Sequence, residues 1–347
     1  MRVLLCSPAF PPRIGGLEHA VAALAEDLTT LGAEVVVVTG TPSDGVERAP
    51  YRIVRRPGAL ELLRLVRWCE VYYQANVSLR TWWPLLLVRR PWVVAHHNWY
   101  RRPDGSQGWR DRLKLRLLRR AAASISVSRA IAAALATPST VIPNAYREDL
   151  FRRLPDVPRD RDLIFVGRLV SDKGLDVLLD ALQGLAHRDL HPGLSIVGSG
   201  PEEATLRRRC RELELGARVE FLGERTPEDL VRILNRHRIL VVPSRWEEPF
   251  GIVALEALAC GCAVVGSALG GLPEAMGPSG VTFPNGDAGA LADALASTLA
   301  LPQTTSSMSP PVEEHLAAHR RLTVARRHLE VLRAVVGAAV VKAETPE

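Results

Sequence analysis

The chain has 347 residues, of which 47% are hydrophobic and 24% are charged, as in ordinary folded proteins. This composition argues against intrinsic disorder, and the length favours two domains over one. No apolar run approaches the roughly 20 residues of a membrane helix. The first residues lack the long apolar core of a signal peptide, so we expect a cytoplasmic protein.

The net charge of +6 favours an anionic partner, but charge alone does not choose among a nucleotide, a lipid phosphate, a membrane surface and nucleic acid. The five cysteines have no zinc-site spacing, and their odd number argues against a complete set of disulfides. We expect them to be buried as small hydrophobic residues.

Short apolar runs alternate with longer amphipathic stretches along the chain, which predicts βαβ units and parallel sheets. These segments are Val3–Cys6, Glu18–Leu31 and Glu34–Val38 early on, and Leu163–Val166, Gly174–Leu185 and Leu194–Val197 later. Each half of the chain begins with a strand, a glycine-containing loop and a helix. The sequence therefore predicts an α/β protein with two Rossmann-like domains.

A stretch rich in proline and charge, residues 143–158, is typical of a linker. We place the first domain at residues 1–157 and the second at residues 158–311. A polar stretch at residues 302–311 precedes a terminal segment, residues 312–347, with a predicted helix over about 312–336. We expect this helix to pack back across the cleft between the domains.

Loops that follow parallel strands are the first place to look for a ligand site. After the apolar run Ile239–Val242, Glu248 precedes a predicted helix and Glu256 lies about one turn inside it. The first amides of that helix would be free to bind a phosphate; they belong to Phe250, Gly251, Ile252 and Val253. The two carboxylates would accept hydrogen bonds from hydroxyls on either side. Hydroxyls flanking a phosphate describe a nucleotide sugar.

Two further loops carry groups suited to a pyrophosphate. Arg168 and Lys173 follow a predicted strand and are spaced across a tight turn. Such cations would neutralise a leaving nucleoside diphosphate as negative charge develops on it. Gly15 and Gly16, in the predicted first domain, could bring backbone amides to the same phosphates.

These motifs and their order resemble the retaining glycosyltransferases of glycosyltransferase family 4, over nearly the whole chain. Besides Glu248–Glu256, the similar stretches are residues 12–19, 91–98, 141–145 with Phe151, 166–174, 197–202 and 270–274. The resemblance implies the GT-B fold, in which two Rossmann-like domains with parallel sheets face a central cleft. The second domain would hold the nucleotide-sugar donor, and the first mainly the acceptor.

The resemblance also implies residue roles. Glu248 would lie by the hydroxyls of the donor sugar, and Glu256 would hold the ribose. Arg168 and Lys173 would grip the diphosphate, which Gly16 would approach from the other domain.

A further role implied by the resemblance belongs to a histidine after the fourth strand of the first domain, which would contact the donor sugar near the reacting carbon. We assign that role to His97, with His96 as the alternative. The implied reaction is transfer of a hexose with retention of anomeric configuration, with neither a bound metal nor a cofactor. Its acceptor hydroxyl would lie on a lipid-linked molecule, a cell-envelope glycan or a small metabolite.

A basic and aromatic stretch in the first half includes Trp99, Arg101 and the run Arg112–Arg120, in which cations and leucines alternate. This pattern fits either an interfacial helix at the inner face of the membrane or a solvated helix face. Nucleic acid is not expected, because no recognised binding module accompanies the charge.

Two other functions fit the same motifs. A sugar-nucleotide epimerase or hydrolase would use the same phosphate loops and convert the donor without an acceptor. A catalytically inactive homologue would serve as a binding subunit, although all five expected reactive side chains are present; these are His97, Arg168, Lys173, Glu248 and Glu256.

Overall fold

The computed structural model describes residues 1–13, 15–43, 45, 48–102, 105–302 and 309–344. The chain divides into two compact units. The first unit comprises Met1–Ala145 and Arg321–Glu347, and the second comprises Tyr146–Arg320. The division precedes the predicted boundary at residue 157, because the linker packs onto the second unit. There, Asn235 accepts a hydrogen bond from Leu154 N at 2.8 Å and donates one to Arg152 O at 2.9 Å.

The strands and helices alternate along the chain as predicted. The strands are β1 Arg2–Ser7, β2 Glu34–Thr39, β3 Arg52–Arg55, β4 Val71–Ala75, β5 Trp92–His96, β6 Ala123–Ser126, β7 Thr140–Val141, β8 Arg161–Val166, β9 Leu194–Val197, β10 Val219–Gly223, β11 His237–Val242, β12 Ala263–Ser267 and β13 Val281–Phe283. The helices are α1 Gly16–Thr30, α2 Ala59–Trp68, α3 Leu79–Trp82, α4 Trp109–Leu117, α5 Arg129–Ala133, α6 Leu175–Ala186, α7 Glu203–Glu212, α8 Pro227–Arg236, α9 Ile252–Ala259, α10 Leu272–Met276, α11 Ala288–Ala300, α12 Pro310–Ala318 and α13 Arg321–Glu344.

The first unit contains a seven-stranded parallel sheet in the order β3-β2-β1-β4-β5-β6-β7. Alternate residues of a strand point to opposite faces. Accordingly, Val3 and Leu5 join one apolar core, while Leu4 and Cys6 join another. The strand order reverses between β1 and β4, where the loops that follow these strands diverge and leave room for a ligand.

The second unit contains a six-stranded parallel sheet in the order β10-β9-β8-β11-β12-β13. Its order reverses between β8 and β11. The loop after β8 carries Arg168 and Lys173, and the loop after β11 carries Glu248. The fold therefore brings the two predicted phosphate-binding loops to one switch point. The prediction of two Rossmann-like domains is confirmed.

The terminal segment forms two helices rather than the single predicted one, with a break at His319 and Arg320. The second of them, α13, packs against α1 in the first unit. Arg321 fixes its start by donating to Asp27 Oδ1 and to Glu26 Oε2, both at 2.7 Å. In the described part of the chain, no helix combines the length and apolar character needed to span a membrane.

Candidate functional site

Glu248 and Lys173, both predicted site residues, form an ion pair in the second unit. Lys173 Nζ lies 2.5 Å from Glu248 Oε1, and Ser244 Oγ donates to the same oxygen, also at 2.5 Å. Their side chains are 27% and 14% exposed, so the pair is sheltered but open to a ligand. Because both predicted groups come together at the switch point of the sheet, this cluster is the candidate site.

The backbone joins the two loops that carry this pair. Asp172 O accepts hydrogen bonds from Arg245 N at 2.9 Å and Trp246 N at 3.3 Å. Gly174 permits this approach, because its φ is +64° and a Cβ there would meet the carbonyl of Pro243. Arg245 also binds Asp176 across the loops, with Nη2 to Oδ2 at 2.5 Å. The ion pair therefore rests on a rigid frame.

A second set of contacts fixes the segment between Ser244 and Glu248. The carbonyl of Ser244 accepts from Ser267 Oγ at 2.7 Å and from Asn285 Nδ2 at 3.0 Å. Glu248 O accepts from Gly271 N at 2.7 Å. Sequence reasoning missed Ser244 as a partner of Glu248, although a hydroxyl four residues before a predicted carboxylate was the available signal.

Helix α9 begins at Ile252, close to the predicted position. Gly251 precedes it with φ of +108°, and a Cβ there would lie 2.7 Å from Leu272 Cδ1. Ala254 N donates to Gly251 O at 3.0 Å, whereas the amides of Ile252 and Val253 precede the first closed turn. Helix starts of this kind bind phosphate. Phe250, the first of the four residues whose amides were predicted to bind a phosphate, has a buried side chain that stacks on the ring of His319.

Glu256 lies within α9, about one turn from its start. Burial raises the pKa of its carboxyl to about 7, and Arg147 opposes this effect. Arg147 was not predicted, because nothing in the linker sequence ties it to α9. A carboxyl in this state would become a good acceptor for ribose hydroxyls once it ionises.

Arg168 lies in the loop after β8, and its side chain is exposed. Within the described ranges, its guanidinium forms no ion pair, in contrast to Lys173. The guanidinium of Arg168 therefore lies close to the end of β8 and is available to an anionic ligand.

In the first unit, Gly15 and Gly16 lie at the start of α1, as predicted. Glu18, buried in the first turn, pairs with Arg13 at 3.3 Å. A Cβ at Gly15 would meet the carboxylate of Glu18, whereas a Cβ at Gly16 would meet nothing within 4 Å. The structure therefore distinguishes the two glycines, since only Gly16 leaves open space beside the backbone.

His96 and His97 point to different neighbours, and neither follows the fourth strand, because His96 ends the fifth strand and His97 comes directly after it. The additional strand, β3, is short and has arginines at both ends, which weakened its sequence signal. His96 is buried, and its Nδ1 lies 2.8 Å from Tyr100 Oη. The ring nitrogens of His97 are also buried. Burial lowers the pKa of His96 to about 3 and that of His97 to about 4, so both are neutral at pH 7.

Comparison with known proteins gives matches over most of the chain. The profile described as "Glycosyl transferases group 1" matches residues 147–314, and "Glycosyltransferase Family 4" matches residues 14–150. D-inositol 3-phosphate glycosyltransferase of Corynebacterium efficiens is 38% identical over 173 residues, 47% of this chain and 41% of that protein. Glycogen synthase of Mycobacterium tuberculosis is 36% identical over 172 residues, 48% of this chain and 38% of that protein. The matches thus span about two fifths of these relatives.

Solved structures share the fold at lower identity. Sucrose-phosphate synthase from Thermosynechococcus elongatus has a TM-score of 0.82 at 24% identity, covering 97% of this chain and 99% of that one. HepE of Anabaena, in complex with UDP-glucose, has a TM-score of 0.77 at 21% identity, covering 96% and 100%. With the two profiles together spanning residues 14–314, the chain belongs to the GT-B-type glycosyltransferases related to glycosyltransferase family 4.

Proposed function

We propose that this protein transfers a glycosyl group from a nucleoside-diphosphate sugar to an acceptor hydroxyl. The observation that carries the proposal is the cluster at the switch point of the second sheet. There, Lys173 and Ser244 converge on Glu248 Oε1. The exposed Arg168 and the start of α9 offer positive charge for a diphosphate on the same edge of the sheet.

The ion pair suggests how the donor is received. A diphosphate would compete for the ammonium of Lys173, which would release Glu248 to accept hydrogen bonds from sugar hydroxyls. Glu256 would take the ribose hydroxyls. Negative charge develops on the leaving diphosphate in the transition state. Lys173 and Arg168 would stabilise this transition state more strongly than they stabilise the bound substrate, and this difference accelerates transfer.

We propose retention of anomeric configuration and transfer without a metal ion, since these cations can neutralise the diphosphate. His97 would contact the donor sugar as a neutral imidazole, because burial holds its pKa near 4. Gly16 would offer its amide to the phosphates.

The relatives suggest which donors to test first. HepE of Anabaena has been solved in complex with UDP and with UDP-glucose, and two of the curated relatives are named D-inositol 3-phosphate glycosyltransferase and glycogen synthase. We propose a hexose donor, with UDP-glucose and its guanosine and adenosine counterparts as the panel.

We also propose that the acceptor is presented at an anionic membrane surface, as a lipid-linked molecule. Support comes from α4 in the first unit, where Trp109 is 65% exposed and Leu113, one turn on, is 39% exposed. Arg110, Arg112 and Arg116 are exposed on the same helix. The arginines would attract this helix to an anionic bilayer, and an exposed tryptophan suits its interface.

The test is release of nucleoside diphosphate by the purified protein, with and without acceptor preparations and anionic vesicles.

Glu248→Ala should reduce transfer at least about 100-fold, whereas Glu247→Ala, at the adjacent carboxylate, should keep most activity. Both variants should unfold like the wild type. Wild-type turnover in Glu248→Ala would contradict the assignment. Release of nucleoside diphosphate without any acceptor would favour a hydrolase, and conversion of the donor to another nucleotide sugar without such release would favour an epimerase. No effect of vesicles on binding or rate would contradict the membrane proposal.

A further inference from the structure

Asn76 follows β4 directly and has a left-handed backbone, with φ of +60°. Asparagine adopts this conformation more readily than most residues, because its short polar side chain can bond locally. Its backbone N donates to Ala95 O at 2.7 Å, which ties the end of β4 to β5. Asn76 thus lies at the switch-point edge of the first sheet, beside the loop that carries His97.

The side chain of Asn76 holds that loop. Its Oδ1 accepts hydrogen bonds from His97 N at 2.8 Å and from Asn98 N at 3.2 Å. Two backbone donors on one atom fix the orientation of the carboxamide, because only its oxygen can accept them. The backbone of His97 is therefore held by the side chain of the residue that follows the neighbouring strand, and not by the ladder of β5, which ends at His96.

We propose that Asn76 is a positioning residue for His97. The inference rests on the role proposed above for His97 at the donor sugar. The left-handed turn aims Oδ1 at the two amides, and these amides set the direction in which the imidazole leaves the strand. Displacing a contacting group by about 1 Å is enough to slow a reaction strongly, even when the bound substrate keeps its other contacts.

Substitutions at Asn76 can separate backbone conformation from hydrogen bonding. Asn76→Gly keeps access to positive φ but removes the acceptor, whereas Asn76→Asp keeps an acceptor oxygen and tolerates the same conformation. We expect Asn76→Gly to lower kcat about tenfold while KM for the donor changes less than about twofold. We expect Asn76→Asp to restore kcat to within about threefold of wild type.

A double-mutant cycle with His97→Ala tests whether Asn76 acts through His97. If it does, Asn76→Gly should lower kcat by less than about twofold in the His97→Ala background. Equal losses in both backgrounds, or wild-type kcat in Asn76→Gly, would overturn the proposal.

A readout without turnover separates this inference from the proposed function. The imidazole resonances of His97, identified by their loss in His97→Ala, should shift in Asn76→Gly and return in Asn76→Asp. The resonances of His96 should keep their positions. An unchanged His97 signal in Asn76→Gly would overturn the positioning role even if the protein transfers no sugar, whereas a shifted signal in an inactive protein would contradict only the proposed function.

Discussion

Two predicted site residues of the second unit, Lys173 and Glu248, contact each other, whereas His97 of the first unit contacts residues that the sequence did not single out. Lys173 and Glu248, 75 positions apart, form a direct ion pair. His97 instead depends on Asn76, which accepts from its backbone amide, and burial lowers the pKa of its ring while the side chain of Asn144 opposes this effect. The difference has a physical origin. A charged side chain in a sheltered loop is costly unless an opposite charge pairs with it, so the sequence can indicate both partners. A neutral imidazole and a backbone amide have no such requirement, and their neighbours depend on how the chain folds.

The largest effect is expected at Gly174, where a substitution would disrupt the contact between the two loops that carry Lys173 and Glu248. Gly174→Ala should lower the free energy of unfolding by about 3 kcal/mol, since it adds a left-handed alanine and a clash with the carbonyl of Pro243. The control is Gly216→Ala, with φ of +50° and nothing within 4 Å of the added Cβ, which should cost about 1 kcal/mol. Urea denaturation measures both. Equal costs would show that the loops do not need their close contact.

The next effect would sharpen the contrast within the first unit. His97→Ala should lower kcat about 100-fold. His96→Ala should instead lower the free energy of unfolding by about 2 kcal/mol, because the buried ring contacts Tyr100 and its Nδ1 lies 2.8 Å from the hydroxyl. Steady-state kinetics and thermal unfolding on both variants give the answer. The opposite pattern would make His96 the sugar-contacting histidine.

The smallest effect concerns Glu256, whose folded pKa is about 7. Because burial raises this pKa above the unfolded value, the folded state retains the proton longer, and stability falls as pH rises from about 4.5 to 7. Glu256→Gln should remove up to about 2 kcal/mol of this pH-dependent decrease in the free energy of unfolding. Glu314→Gln, at an exposed carboxyl on α12, is the control. Denaturation at pH 5 and pH 8 measures the difference; an unchanged pH dependence in Glu256→Gln would contradict the burial of this carboxyl.

Much of the fold could be predicted because strand and helix periodicities are local. The starts of α1, α6 and α9 and the loops carrying Gly16, Lys173 and Glu248 follow from them. Strand β3 and the break before α13 gave weaker signals. The short strand has arginines at both ends, and the break falls between two helical stretches whose ends are set by packing in different units.

The sequence by itself determined the alternation of strands and helices, the two Rossmann-like halves and the loops that hold the charged side chains. It did so because these properties depend on residues close together in the chain. Only the tertiary structure decided that Ser244 bonds Glu248, that Arg147 influences Glu256 and that Asn76 holds His97. Asn76 and His97 come from separate segments, and parallel pairing of β4 with β5, which no short sequence pattern encodes, brings them together. Arg147 and Glu256 are likewise far apart in the chain, whereas Ser244 and Glu248 share one loop and its folded conformation joins them.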